Sequence, residues 1–216
     1  MPFNPEKHHR KSIRLKDCDY SQPGSYFITV CTHNQKNLFG KIVSLRAGLE
    51  PAPTENFHVN LNDYGIIVLN TWRDLVKHNK GIKLGEFVIM PNHFHGIIHI
   101  LDPGNGGGDF IPSEFIYKDA VTKSLPSDSV QQGFVGVGSK PTLNQYKKQT
   151  SLSEVVRQFK TFSTRKINRL RNTPGVSIWQ RNYFEHIIRD QESYDQIVEY
   201  IQNNPLTWEK DKLFVE

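Results

Sequence analysis

Apolar residues recur along this chain with a period of two in some stretches and near 3.6 in others, and that alternation predicts its elements. Ser25-Tyr26-Phe27-Ile28-Thr29-Val30-Cys31-Thr32 follows the turn pair Pro23-Gly24 and reads as a strand. A second short strand is expected near Lys41 to Ser44, inside a mixed stretch over 40–60. Asn62 to His78 reads as a helix, with Ile66, Ile67, Leu69, Trp72, Leu75 and Val76 near helical spacing. Lys83 to Met90 and Asn92 to Leu101 are apolar strands separated by so short a turn that they must run antiparallel. Ser151-Leu152-Ser153-Glu154 is a capping box opening a helix whose apolar face is Leu152, Val155, Val156, Phe159, Phe162, Ile167 and Leu170, with Pro174-Gly175 as its stop. Ser177 to Ile188 is extended in part, and Gln191 to Asn203 is a last helix stopped by Pro205. Strands joined by a hairpin and crossed by helices predict an α+β fold: an antiparallel sheet with helices packed on one face, ferredoxin-like or RRM-like.

Residues 102–150 break the pattern. They hold seven of the 15 glycines and little sustained periodicity, so they read as an insertion or loop within one domain. The expected organisation is a basic arm over 1–20, a single domain over 21–206 and a tail over 207–216. The N-terminal stretch lacks the apolar core of a signal peptide, and no run reaches the length of a membrane span. A cytoplasmic protein without a membrane partner is expected. Two cysteines, Cys18 and Cys31, make neither a disulfide framework nor a four-ligand zinc site, which disfavours a structural zinc protein.

The formal net charge is +5, and its distribution says more than its size. Lys140 to Arg171 carries nine Lys/Arg and one acid, Glu154, whereas Asp190 to Glu216 carries seven acids and two lysines. The basic block favours a polyanionic partner. Arg157, Lys160, Arg165 and Arg169 lie mostly opposite the apolar face of their helix, and Arg10, Lys11 and Arg14 offer a second cluster in the arm.

The run Met90-Pro91-Asn92-His93-Phe94-His95-Gly96-Ile97-Ile98-His99-Ile100 carries the candidate chemistry. On a strand, His93, His95 and His99 point to one face and Phe94, Ile98 and Ile100 to the other. Polar side chains in an apolar strand need a reason, and neighbouring imidazoles aimed the same way can clamp one divalent ion. On the last helix Tyr194, Ile197, Val198 and Ile201 form the core stripe. Tyr200 lies roughly 100° off its centre and Asn204 about 70° off on the same side. The pair stacks at i and i+4, presenting a phenol and an amide oxygen together. If that flank meets the histidine face, a metal held by His93, His95 and Asn204 can polarise a phosphodiester for attack by Tyr200. Tyr183 and Tyr194 are rival nucleophiles. Neutral ligands suit Mg²⁺ or Mn²⁺, imidazole favouring the latter.

Four stretches, in order, resemble the REP-associated tyrosine transposases and their single-tyrosine insertion-sequence relatives in the HUH nuclease superfamily. They are Gly24 to Val30, Val88 to Ile98, Ile178 to Arg189 and Tyr200-Ile201-Gln202-Asn203-Asn204-Pro205. The resemblance covers roughly 10–101 and 151–206. It implies His93 and His95 as the paired metal ligands, Asn204 as the third, and Tyr200 as the nucleophile that forms a 5′-phosphotyrosine link and releases a 3′-OH. It implies single-stranded DNA as substrate, often beside a hairpin, and rejoining without ATP. Both monomers and dimers sharing a tyrosine occur in the family, so the homodimer stays open. The longer 102–150 insertion and the tail after Pro205 depart from the family pattern. A silent hairpin-binding module and a water-using nuclease are the competing expectations.

Overall fold

The computed structural model describes residues 20–45, 56–102 and 150–215, and Arg10, Lys11, Arg14 and nearly all of the 102–150 insertion lie outside them. β1 (Gly24–Cys31), β4 (Ile82–Ile89), β5 (His93–Ile100) and β6 (Phe184–Ile188) form an antiparallel sheet in the order β4-β5-β1-β6. The Met90-Pro91-Asn92 turn closes the β4–β5 hairpin, with Met90 N–H donating to His93 O at 2.8 Å. β1 pairs with β5 so that Thr29 faces His95 and Cys31 faces His93.

Three helices cover this sheet. Asn62 caps α1 (Asp63–His78), its Oδ1 accepting from Tyr64 N at 3.0 Å and Gly65 N at 3.1 Å. Ser151 Oγ accepts from Glu154 N at the start of α2 (Leu152–Leu170), as the capping motif predicts. Asp190 does the same for Ser193 N at α3 (Gln191–Asn203). Each cap satisfies amides that a helix start otherwise leaves unpaired.

α1 and α2 pack together on one face, where Trp72 and Phe159 meet Phe94, Ile28, Val30 and Ile98 in the larger core. α3 does not join them. It covers the opposite face, where Tyr194, Ile197, Val198 and Ile201 meet Val88, Ile97 and Phe27. The expectation of helices on one face is corrected here, and the reason is in the strands. Val88-Ile89 and Ile97-Ile98 place large apolar residues on both faces in succession, so both faces need cover.

The expected strand near 41–44 is β2 (Gly40–Leu45), and it pairs with a strand that the mixed pattern hid, β3 (Asn56–Leu61). Phe57, Val59 and Leu61 alternate there with His58 and Asn60, and Val59 and Leu61 reach the second core.

Gly96 sits where Trp72 crosses the sheet. A methyl group on it would lie 2.8–2.9 Å from the Phe94 ring and 2.9 Å from Trp72. Both rings are fully buried, so neither can swing away. Gly96→Ala is expected to destabilise the fold by about 1–3 kcal/mol through overpacking, read as a lower denaturant midpoint with an unchanged m-value.

Candidate active site on the α3 face of the sheet

The two-residue period of β5 turns His93, His95, Ile97 and His99 towards α3. His93 and His95 are buried side by side, their ring centroids 4.5 Å apart. A polar group stands behind each ring. Asn92 Nδ2 donates to Leu213 O at 2.7 Å and Gln35 O at 3.3 Å, which fixes the amide so that its oxygen faces His93 Nδ1 at 2.8 Å. An amide oxygen only accepts, so His93 Nδ1 carries the hydrogen. His93 Nε2 is left as a bare lone pair, buried and without a hydrogen-bond partner. At His95, Thr29 Oγ1 lies 2.8 Å from Nδ1, and the ring stacks on Phe27 at 5.3 Å.

α3 brings the other half. Tyr200 is 43 % exposed, and its hydroxyl lies 3.3 Å from His95 Nε2. Thr29 Oγ1 can donate or accept, and in the Nδ1–H tautomer of His95 the phenol donates to Nε2. Phe27 meets the Tyr200 ring edge-on at 6.1 Å, so one β1 side chain braces both phenol and imidazole. Asn204, one turn on, is completely buried at the helix end. Its Nδ2 donates to Asp211 Oδ2 at 3.2 Å, while its Oδ1 has no hydrogen-bond partner. The four residues the sequence singled out therefore gather at one place, and Asp211 joins them.

Burial dominates the electrostatics. It pushes the His93 imidazole down to about 4, against the upward pull of the Asp211 carboxylate and the Asn204 side chain. His95 is held well below the ordinary range by burial and then by His93. Both rings are neutral at pH 7, the form that can ligate a metal. Burial also raises the Tyr200 phenol, helped by Asp211 and opposed by Asn204. An orphaned imidazole nitrogen and an orphaned amide oxygen, both buried, are what a divalent ion would satisfy. The nearby carboxylate adds a third kind of donor. One ligand atom each from His93, His95 and Asp211 lie within 4.8 Å of one another.

His99 shares the face but stands apart from this group. Its Nδ1 is 2.7 Å from Ser25 Oγ, and its ring lies 6.0 Å from that of Tyr194. Of the rival nucleophiles, Tyr183 is buried in the larger core and Tyr194 packs in the smaller one.

The predicted basic residues that fall within the described stretches, Arg157, Lys160, Arg165 and Arg169, lie on α2, which packs on the other face of the sheet. Arg157 pairs with Glu154 at 2.6 Å. Lys160 Nζ is spent on three carbonyls, Gln180, Arg181 and Asn182, and burial lowers its ammonium to about 8. Arg165 and Arg169 are exposed and line a groove of about 740 Å³ with Arg181 and Ser177. Trp179 is core, its indole N–H donating to Ser163 Oγ at 2.9 Å, whereas Phe184 is exposed.

The family model described as Transposase IS200 like matches residues 142–204. A protein of Haemophilus influenzae, described as uncharacterized, is 37% identical over 214 residues, covering 99% of this chain and 98% of its own length. The chain belongs to the IS200-like transposase family. The matched stretch of this IS200-like transposase includes Tyr200 and Asn204. Among solved structures, a REP-associated tyrosine transposase bound to a REP hairpin is similar at 17% identity and a TM-score of 0.46, covering 90% of this chain and 73% of that one. Among the described residues, no helix of the transposase is long and apolar enough to cross a membrane.

Sequence reasoning missed Thr29, Asn92 and Asp211. Thr29 was legible in principle: it lies on the face of β1 that antiparallel pairing turns towards His95. Asp211 carried no local signal.

The lowered imidazole fixes an acid response. His93 takes up a proton near 6.5 in the unfolded chain but only near 4 in the folded one, so the unfolded state binds it first. Stability present above pH 6.5 is therefore lost as the pH falls towards 4. Denaturant midpoints of metal-free protein should fall across that window, and His93→Gln should flatten the fall.

Proposed function

We propose that this transposase cleaves and rejoins single-stranded DNA through a covalent 5′-phosphotyrosine at Tyr200. The observation that carries this reading is the exposed Tyr200 hydroxyl set 3.3 Å from the Nε2 of a buried imidazole. In the cleavage step, Tyr200 Oη forms a bond to phosphorus as the bond from phosphorus to the 3′ oxygen breaks. The phenol loses its proton, and the departing oxygen gains one to become a 3′-OH. Attack by a 3′-OH on the phosphotyrosine reverses the step, so the energy of the phosphodiester is retained and no ATP is needed.

A divalent ion, Mg²⁺ or Mn²⁺, held by His93, His95 and Asn204 would supply positive charge to the phosphate in the transition state. Asn92 holds His93 in the tautomer that leaves Nε2 facing the site, and Thr29 positions the His95 ring from behind. Phe27 limits the swing of the phenol, which favours an in-line approach. Exposure of Tyr200 on one side lets a flexible strand reach it, while its other side stays against the protein.

The DNA partner is a single strand, often beside a hairpin, as the family resemblance implies. Arg165 and Arg169 are the α2 cations best placed to meet phosphates, since both are exposed and line one groove. Lys160 serves that groove indirectly, by fastening the 180–182 backbone against α2.

The test is cleavage of end-labelled hairpin DNA carrying flanking repeats from the source genome, with Mn²⁺ or Mg²⁺, on a denaturing gel. Wild type should give a metal-dependent protein–DNA adduct that Tyr200→Phe lacks entirely. Equal cleavage by both without an adduct would mean a water-using nuclease, and binding without cleavage would mean a silent module. Phosphate contacts release counterions, so affinity falls with salt. Replacing Arg165 and Arg169 by alanine should weaken binding to all sequences alike. The slope of log affinity against log salt should shrink by about 1 for each arginine that meets a phosphate.

A further inference from the structure

We propose that Asp211 is itself a ligand of the metal, so that the ion ties the segment after α3 to the nucleophile and the histidine pair. This rests on the metal-dependent reading above and adds to it a donor that spacing from Tyr200 does not supply.

The geometry comes first. A carboxylate oxygen of Asp211 belongs to the same cluster as the ligating nitrogens of His93 and His95, all within 4.8 Å of one another. Donors around Mg²⁺ lie about 2.0–2.1 Å from the ion, so small side-chain movements gather such a cluster. Asn204 is in the same place, since its Nδ2 donates to Asp211 Oδ2. Two buried atoms beside the carboxylate, His93 Nε2 and Asn204 Oδ1, have no hydrogen-bond partner.

Charge points the same way. Among the described residues no lysine, arginine or histidine forms an ion pair with Asp211 within 4.0 Å, although it is half-buried. Its negative charge is felt at His93, Cys31 and Tyr200, the groups that line the site. Although Lys210 and Lys212 flank it in the chain, this partly buried carboxylate has no cation within ion-pair distance among the described residues. A divalent ion would be that cation, and a hard oxygen donor shifts the set towards Mg²⁺ and Mn²⁺.

The backbone presents the carboxylate in this position. Trp208 is buried, with its ring 5.7 Å from that of His93, and it anchors the segment. Asp211 N–H donates to Trp208 O at 3.0 Å, and Asp211 Oδ1 accepts from Leu213 N at 2.7 Å. Leu213 O in turn accepts from Asn92, the residue that orients His93. Metal binding and fastening of residues 208–213 are then one event.

The test titrates Mn²⁺ into full-length, DNA-free protein, following the free-ion signal by electron paramagnetic resonance. Amide hydrogen exchange is read across 204–215. Wild type should bind one ion, and the ion should slow exchange at 208–213. Asp211→Asn keeps an oxygen for Leu213 N–H, so it should melt like wild type in chelator. It should nevertheless bind Mn²⁺ at least tenfold more weakly and lose the exchange protection. Asp211→Glu, which keeps the charge, should recover part of both, and it carries the test if Asp211→Asn does not fold. Unchanged affinity in Asp211→Asn, with binding lost in His93→Ala, would overturn the role of Asp211 and leave the histidine site standing. No binding by wild type would overturn both.

Discussion

The antiparallel pairing of β1 with β5 sets Thr29 opposite His95 and Cys31 opposite His93. A slip of one residue would turn both imidazoles towards Trp72 and Phe159 and send Phe94 to the site. Apolar packing on two faces forbids that slip. Phe94 and Ile98 are locked among α1 and α2, and Ile97 among the residues of α3. The same pairing delivers Phe27 and Thr29 to the imidazole from the side and from behind. The site is thus a by-product of a register that the cores enforce.

Polar chemistry in so apolar a place is tolerated because each group is neutral, hydrogen-bonded or next to a donor set. Burial keeps the imidazoles unprotonated, the Asn92 oxygen fixes the tautomer of His93, and Thr29 engages the back of His95. The C-terminal turn of α3 adds its own partial negative charge, since Tyr200 and Asn204 sit where helix carbonyls run out of partners. That end of a helix favours a cation nearby, in agreement with the orphaned oxygen and nitrogen around it.

Much of this was legible in the chain. Local signals predicted a helix over Asn62 to His78, where Asn62 proves to be the α1 cap, Ser151 at the start of α2, and Gln191–Asn203 as α3. The two-residue period of β5 and the i, i+4 spacing of Tyr200 and Asn204 gave the two halves of the site. Contacts between distant segments did not announce themselves. β3 was hidden because a short alternating run beside irregular chain has no partner in sight. The placement of α3 was misread because amphipathicity says that a helix covers something, not which face. Lys160 looked like any exposed cation, and only the carbonyls of 180–182 show that its charge is already engaged. Asp211 is invisible for the same reason: its environment is made by β1, β5 and α3 together.

The sheet separates two surfaces that the proposed function assigns to one bound strand. The Tyr200 hydroxyl opens on the α3 side, while the groove lined by Arg165, Arg169 and Arg181 opens on the α2 side. On the proposed reading, a strand held at both passes from one face of the sheet to the other, and the length of chain spent on that passage would set a fixed offset between where it is gripped and where it is cut. The sheet would then be a ruler as well as a scaffold.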